Sequence, residues 1–394
     1  MSRELNTAAP ADLPAAHVFV LGQRTHGTSE VIAALQSIDR PEGLVRFDPR
    51  VVNPPRTEQG EVVMLFNDFG PTSGAARLQP LVTPKRRFTL YECVNDVQAL
   101  MMAGTKRCDA IVWVHSALAE VTLDPIAQML DGAVFLGAQA ATVFITDAHE
   151  ASADTLDAIE QDTRELLSAA GFAGDDCAVV RSSGPIAPNA PPAWRAGALA
   201  LRDTLDDTVP YAELDPTFVM PIEDTFDIRG RGLVVTGPVQ RGSVAIGKAV
   251  DILRDETRTT VRVTALEISR KVTPVARAGQ NIGIMLSDCT RNDIARGDLL
   301  VSPGAGLQGS LVRLRCYAWR APAATIRPGE RLAIVGNRDP RNTLVTLDRA
   351  VLSPGPFEAV LQHERPRPMM LGQPHWLTDG TSLFAVAFVE RVLG

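Results

Sequence analysis

Residues 22–30, GQRTHGTSE, carry the side chains in this sequence that are best suited to phosphate chemistry. Apolar runs flank them on both sides, which is the strand–turn–helix layout of a phosphate-binding loop. Gly22 and Gly27 have the spacing of that motif, and Ser29 stands where a hydroxyl would bind magnesium. The motif's lysine, which contacts the β- and γ-phosphates, is replaced by Thr28. The sequence therefore predicts the shape of the loop without its main cation.

Strands and helices alternate over the first 210 or so residues, and they would position this loop. The apolar runs predict strands at 17–22, 62–67, 88–94, 109–115, 141–146 and 177–181. Helical periodicity predicts helices over 123–138 and 152–170, the second with Ser152 as its N-cap. Such alternation is typical of an α/β fold with a doubly wound, mostly parallel sheet.

The pattern changes after about residue 212, where short alternating runs recur with glycine turns between them. Strands are predicted at 218–222, 232–236, 248–254, 260–268, 281–286, 299–301, 311–318, 331–335, 343–349, 357–361 and 383–393. Many short strands at this spacing indicate all-β barrels. A proline- and glycine-containing stretch, 302–309, suggests a boundary between two of them. The predicted domains are therefore 1–212, 213–305 and 306–394.

The composition is that of an ordinary globular protein, with 45% hydrophobic and 22% charged residues. A formal net charge of −7 excludes a global basic field that would attract nucleic acid. It does not exclude a local basic surface. The five cysteines form no Cys-x-x-Cys pair, which favours a reducing compartment over a disulfide framework. No signal peptide or membrane span is recognisable. We therefore expect a cytoplasmic protein with no membrane partner.

Two stretches carry a family resemblance. Residues 218–242 read FVMPIEDTFDIRGRGLVVTGPVQRG, and residues 266–304 read LEISRKVTPVARAGQNIGIMLSDCTRNDIARGDLLVSPG. Both resemble the second domain of the elongation factor Tu family of translational GTPases. The similarity extends more faintly over nearly the whole chain. It implies a P-loop GTPase-like domain followed by two β-barrels, in a divergent paralogue of that family.

The family's nucleotide motifs are degenerate here. Where the family has Asp-Cys-Pro-Gly-His, this sequence has Glu92-Cys93-Val94-Asn95-Asp96. Asp96 would occupy the position of the histidine that positions the attacking water, and its negative charge is the wrong sign beside a phosphate. The resemblance therefore implies no catalytic residue, and GTP hydrolysis is not expected.

The guanine-reading Asn-Lys-x-Asp motif is also lost. Thr146, Asp147 and His149 occupy its three specifying positions. The degenerate nucleotide site thus comprises Gly22, Gly27, Thr28, Ser29, Glu92, Thr146, Asp147 and His149. Three or four missing hydrogen bonds to charged groups would weaken binding by roughly 5–10 kcal/mol. We therefore expect no bound cofactor, whereas GTP or GDP with magnesium on Ser29 is what the resemblance alone implies.

The positions that the family uses to hold the aminoacyl end of tRNA keep their residue types. They are Glu223, Asp224, Arg231, Glu267, Arg270 and Asn281. In the last domain, by contrast, the family's basic stem-binding hairpin is shortened and reorganised between residues 320 and 342. Four arginines there remain candidates for phosphate contacts: Arg327, Arg331, Arg338 and Arg341.

The leading hypothesis is a pseudo-GTPase that binds aminoacyl-tRNA, or its acceptor end, without GTP switching. One alternative is a functional GTP-binding elongation factor that delivers aminoacyl-tRNA to the ribosome. Another is a protein-interaction mimic of elongation factor Tu that captures a partner such as an exchange factor. In each case we expect a monomer.

Overall fold

A computed structural model of the 394-residue chain describes most of it. The described residues are 15–23, 25–38, 77–94, 97–103, 108–182, 184, 193–210, 216–228, 232–268, 271–278, 280–323, 326–329, 332–335, 343–347, 350–351 and 353–393. The chain divides into two compact units, Met1–Ala212 and Glu213–Gly394.

The first unit contains a six-stranded sheet. Its strands are β1 (Ala15–Gly22), β2 (Arg77–Val82), β3 (Arg87–Val94), β4 (Ala110–Ser116), β5 (Ala140–Thr146) and β6 (Ala178–Arg181). Their order is β2-β3-β1-β4-β5-β6, and every neighbouring pair except β2–β3 is parallel. The predicted mixed α/β fold with a mostly parallel sheet is therefore confirmed.

Strand β2 was not predicted, and Pro80 in its sequence RLQPLV opposes a strand locally. Proline lacks an amide hydrogen, and a strand containing it is tolerated at the edge of a sheet. At this edge position β2 pairs only with β3 among the described strands. The strand predicted at 62–67 lies outside the described residues.

Five helices in this unit lie between or after the strands. They are α1 (Thr28–Ser37), α2 (Val97–Ala103), α3 (Leu123–Phe135), α4 (Ala153–Ala170) and α5 (Ala193–Thr208). Helix α4 begins as predicted, because the Ser152 hydroxyl accepts a hydrogen bond from the Thr155 amide. Helix α3 ends earlier than predicted, since Gly137 adopts a left-handed backbone with φ 99°.

Helices cover both faces of the sheet. Val18 and Val20 of β1 belong to one apolar core with Leu35 of α1 and Leu201 of α5. The alternate residues of β1 point to the other face. Phe19, which is one of these, is also fully buried. The parallel strands β1, β3, β4 and β5 end at the same edge of the sheet, so the loops that follow them lie together.

The second unit contains two antiparallel sheets. The strands of the first are β7 (Val219–Pro221), β8 (Asp224–Ile228), β9 (Gly232–Pro238), β11 (Ala249–Arg254), β12 (Thr257–Ile268), β13 (Lys271–Val272), β15 (Asn281–Ser287) and β16 (Leu299–Val301). Two further strands, β10 (Ser243–Ala245) and β14 (Val275–Arg277), form a separate antiparallel pair. The order is β7-β16-β11-β12-β15-β9-β8, with β13 on β12. The sheet curls, so that the Gln240 amide beyond β9 donates to the Val219 carbonyl of β7 at 2.8 Å.

The strands of the second sheet are β17 (Leu307–Ala318), β18 (Ala333–Val335), β19 (Thr343–Leu347), β20 (Gly355–Met369), β21 (Pro374–Thr378) and β22 (Leu383–Val392). Their order is β18-β21-β22-β17-β20-β19. Arg258 of β12 contacts the Asp251 carboxylate of β11 at 2.9 Å and the Ala305 carbonyl of the β16–β17 connection at 2.7 Å. The five cysteines are free thiols. None of the described helices is long and apolar enough to cross a membrane.

Candidate functional site

The loop between β1 and α1 has the strand–turn–helix layout that its sequence predicts. Gly27 is the N-cap of α1 and has a left-handed backbone with φ 81°, which favours glycine. Gly22 is needed for a different reason. A Cβ atom at this position would overlap the Thr28 hydroxyl and lie 3.2 Å from the Val114 carbonyl oxygen. Both glycines therefore have structural roles, whatever the loop binds.

The described residues of the loop carry no fixed positive charge. Thr28, in the place of the motif's lysine, is 3% exposed, and its hydroxyl has no hydrogen-bond partner among the described residues. His26 is 1% exposed, and its two ring nitrogens are likewise without partners in the described part of the chain. Burial lowers the pKa of His26 from its usual value, so the ring is neutral near pH 7.

Internal hydrogen bonds hold the loop in place. The buried Gln23 side chain donates to the Thr122 carbonyl at 2.7 Å and accepts from the Thr122 amide at 3.2 Å. The Thr146 hydroxyl at the end of β5 donates to the His26 carbonyl at 3.1 Å. Contacts with the β4–α3 segment and with β5 therefore hold the loop's conformation.

The two positions that the family uses for magnesium lie together. Ser29 donates a hydrogen bond to the Glu92 carboxylate at the end of β3. Magnesium is commonly held by one or two protein oxygens together with waters and substrate phosphates, so this pair would supply only part of an octahedral shell. Within the described ranges, no group of three or more His, Cys, Asp or Glu side chains is arranged to hold a metal ion. Asp96, predicted at the position of the family's histidine, lies outside the described residues.

The residues at the predicted base-reading positions either form hydrogen bonds within the protein or face solvent. The Asp147 carboxylate accepts a hydrogen bond from the Ser116 hydroxyl at 2.7 Å, and its backbone is left-handed with φ 57°. The Ala148 amide donates to the Ser182 hydroxyl at 3.3 Å. His149 is exposed, with its Nε2 3.5 Å from a Glu150 carboxylate oxygen. The residue types and hydrogen bonds of this crevice do not fit a guanine nucleotide.

His115 of β4 is a buried crevice residue that the sequence reasoning missed. Its ring centroid lies 5.4 Å from that of His26, and its Nδ1 donates to the Ser116 carbonyl at 2.8 Å. Burial, together with the nearby His26, lowers its pKa. The available signal was a histidine at the end of the otherwise apolar strand AIVWVHS.

A second candidate site lies on the outer face of the first antiparallel sheet. The strand register places Asp224, Thr236, Gly283 and Glu267 in one row across β8, β9, β15 and β12. Directly opposed residues in antiparallel strands share a face. Asp224 and Glu267 are exposed. At an inter-strand spacing of about 4.8 Å, their backbones are about 14 Å apart.

Other predicted acceptor-end residues surround this row. Asn281 is exposed and lies two residues before Gly283 on β15, so the two share a face. Glu223 is exposed, and its amide donates to the Thr236 carbonyl at 2.8 Å. Arg231 and Arg270 lie outside the described residues. The structure therefore brings four of the six predicted residues to one region of the sheet.

Phe226 is a further member of this surface that the sequence reasoning did not single out. It lies two residues after Asp224 on β8, on the same face, and is 48% exposed. The signal was the alternation in DTFDI, which places an aromatic ring beside a carboxylate on a half-exposed strand. Thr236 completes the row between the two carboxylates. We call Asp224, Phe226, Thr236, Glu267 and Asn281 the outer-face cluster.

The outer-face cluster has a definite chemical character. Its two carboxylates accept hydrogen bonds from hydroxyl and ammonium groups, and its amide both donates and accepts. Its exposed aromatic ring offers a stacking surface for a planar group such as a nucleobase. Its negative charge disfavours a phosphate. The arrangement therefore suits a ligand with a cationic or hydroxyl-rich part next to an aromatic part.

The basic loops predicted for the last domain are only partly described. Arg327 is exposed, as a phosphate contact requires. Arg331, Arg338 and Arg341 lie outside the described residues. No protein-family model matches the chain.

Proposed function

We propose that this chain is a divergent relative of elongation factor Tu that binds the acceptor end of aminoacyl-tRNA and does not switch with GTP. In this interpretation the first unit is a GTPase-like domain that has lost its nucleotide, and the two antiparallel sheets are barrels of the translation-factor type. The outer-face cluster is the observation that carries the proposal, because it combines carboxylates with an exposed aromatic ring.

An aminoacyl-adenosine end has groups that complement the outer-face cluster. The α-ammonium of the amino acid and the remaining ribose hydroxyl are hydrogen-bond donors for Asp224 and Glu267. Hydrogen bonds to charged groups contribute about 1.5–3 kcal/mol each. The terminal adenine can stack on Phe226, and such stacking contributes about 1–3 kcal/mol per base. These magnitudes support binding that distinguishes charged from uncharged tRNA.

The absence of GTP switching is inferred from the crevice. Thr28 replaces the cation that would contact the phosphates, and the Asp147 carboxylate already accepts a hydrogen bond from Ser116. His149, at the base-reading position, can no longer supply the paired carboxylate hydrogen bonds. Such losses together weaken binding by roughly 5–10 kcal/mol, which takes a nanomolar site to the micromolar or millimolar range.

Filter binding with charged and deacylated tRNA at one fixed salt concentration tests the acceptor-end site. We expect charged tRNA to bind at least about tenfold more tightly, which corresponds to roughly 1.4 kcal/mol. Asp224→Asn combined with Glu267→Gln should remove most of that difference, because it removes the carboxylates that pair with the α-ammonium, whereas Phe226→Ala should weaken both tRNAs, since both carry the terminal adenine. Glu256→Gln is the matched control, since Glu256 is exposed at the β11–β12 turn, away from the cluster. Equal or negligible retention of both tRNAs would refute the proposal.

Melting of the protein with millimolar GTP or GDP and magnesium tests the nucleotide part. We expect no shift, because a ligand that does not bind the native state cannot stabilise it. A clear rise in melting temperature would favour the functional elongation factor instead. Capture of an exchange factor by a protein that retains no tRNA would favour the interaction mimic.

A further inference from the structure

The buried pair His26 and His115 has no role in the proposed acceptor-end site. His26 belongs to the loop between β1 and α1, and His115 to the end of β4. Their ring centroids are 5.4 Å apart, and their side chains are almost completely removed from solvent. Two imidazoles at this distance repel each other when both are protonated. Their ionisation is therefore coupled to how closely the loop approaches β4.

His26 lies in surroundings that favour a neutral ring. Its nitrogens have no hydrogen-bond partner among the described residues. The carbonyls of Val114 and Glu120 and the carboxylate of Asp147 favour the protonated form, but their effect is smaller than that of burial. The Asp147 carboxylate also accepts a hydrogen bond from Ser116, which occupies part of its capacity.

His115 is constrained in a similar way. Its Nδ1 donates to the Ser116 carbonyl, which identifies the tautomer, and its ring lies 6.1 Å from that of the buried Trp113. The ionisable groups that act on its pKa are His26 from the loop, which lowers it, and Asp162 from α4, which raises it. Two acidic groups on other elements also lie by the loop: Glu30 is near Gly27, and Glu92 accepts a hydrogen bond from Ser29.

We propose that this histidine pair makes the loop proton-sensitive. The loop packs against β4 and β5 while both rings are neutral, and it opens when the rings take up protons. The bonds released on opening are those that hold the loop: the Thr146 hydroxyl to the His26 carbonyl, and the Gln23 side chain to Thr122. The proton thus sets the conformation of the loop between β1 and α1.

The direction of the pH effect follows from which form of the loop, open or closed, binds more protons. The open loop exposes both imidazoles, which then titrate near their ordinary value of 6.5, whereas the closed loop binds fewer protons. Below that value, acidification therefore favours the open form. Each histidine contributes up to about a tenfold change in the open population per pH unit, so the pair contributes up to about a hundredfold.

Amide hydrogen exchange on the full chain tests this proposal. Two amides report on opening: Thr122 N–H, which donates to the Gln23 side chain at 3.2 Å, and His26 N–H, which donates to the Gln23 carbonyl at 3.0 Å. After correction for intrinsic exchange rates, we expect their protection to fall at least about tenfold between pH 7 and pH 5. The Leu156 amide in α4 and the Val263 amide in β12 serve as internal references and should change little.

Variants separate the histidine pair from general acid sensitivity. In the His26→Gln/His115→Gln double variant the pH dependence of the loop amides should disappear. His149→Gln is the matched control: it removes an exposed histidine from the neighbouring β5–α4 segment and should leave the dependence intact. The proposal is overturned if wild-type loop protection is the same at pH 7 and pH 5, or if the double variant keeps the wild-type dependence.

A second measurement applies if the double variant does not fold. Imidazole NMR signals of the wild-type chain follow the protonation of each ring directly. We expect His26 and His115 to titrate below 6.5 and together with the loss of loop protection. Titration of both rings at ordinary values, with the loop still protected, would overturn the proposal.

Discussion

Thr28→Ala should stabilise the first unit, although it removes a buried side chain from a helix. The Thr28 hydroxyl is buried without a hydrogen-bond partner in the described part of the chain, and a buried unsatisfied polar group costs about 1–3 kcal/mol. Alanine removes this cost and is the better helix former by about 0.5 kcal/mol. The lost methyl group opposes these gains by about 1 kcal/mol. The expected net gain in the free energy of unfolding is about 1 kcal/mol.

Thr163→Ala is the matched control. Thr163 is as deeply buried as Thr28 and also lies in a helix, but its hydroxyl donates to the Glu160 carbonyl at 2.9 Å. The lost hydrogen bond and the lost methyl group each cost about 1 kcal/mol, and only the gain in helix propensity offsets them. We therefore expect Thr163→Ala to destabilise by about 1.5 kcal/mol.

Calorimetry of the first unit's thermal transition distinguishes the two variants. For a unit of this size, 1 kcal/mol shifts the melting temperature by about 2–4 °C. The melting temperature should rise for Thr28→Ala and fall by a somewhat larger amount for Thr163→Ala. Equal losses in both variants would refute the reasoning, because they would mean that the Thr28 hydroxyl makes a stabilising bond.

Two further predictions concern side-chain contacts. Gly22→Ala should destabilise the first unit, because a Cβ at Gly22 overlaps the Thr28 hydroxyl. Adding Thr28→Ala should recover part of the lost stability. A double-mutant cycle measured by denaturant unfolding tests this, and strictly additive effects would contradict it. Asp251→Asn should destabilise the second unit by roughly 2 kcal/mol at pH 7. Burial alone would raise the Asp251 pKa, but bonds from Gly304, Arg258 and Thr260 together lower it. The wild-type advantage should therefore fade in melts as the pH drops below 3.8, and a constant advantage would contradict the assignment.

Much of the fold was predictable because it depends on local patterns. Apolar runs of strand length alternating with helical periodicity predicted the mixed α/β unit, and the Ser152 cap marked the start of α4. Strand β2 was not predictable in this way. Its Pro80 opposes a strand locally, and only the edge position in the sheet makes it acceptable.

The sequence by itself determined the types of the candidate site residues. It showed that position 28, where the phosphate-loop motif has lysine, is threonine and that Glu223, Asp224, Glu267 and Asn281 were present. No local pattern determines whether a hydroxyl finds a hydrogen-bond partner. Nor does it determine which residues lie opposite each other on neighbouring strands. Both depend on contacts between segments that are distant in the chain.

Only the tertiary structure decided how these residues are used. It buried the Thr28 hydroxyl without a partner, and it placed His115, 89 positions after His26, against the same loop. It also set the register that aligns Asp224 with Glu267 across four strands and places Phe226 on the same face. Packing and strand pairing bring these groups together, and a linear sequence specifies such proximity only through the fold as a whole.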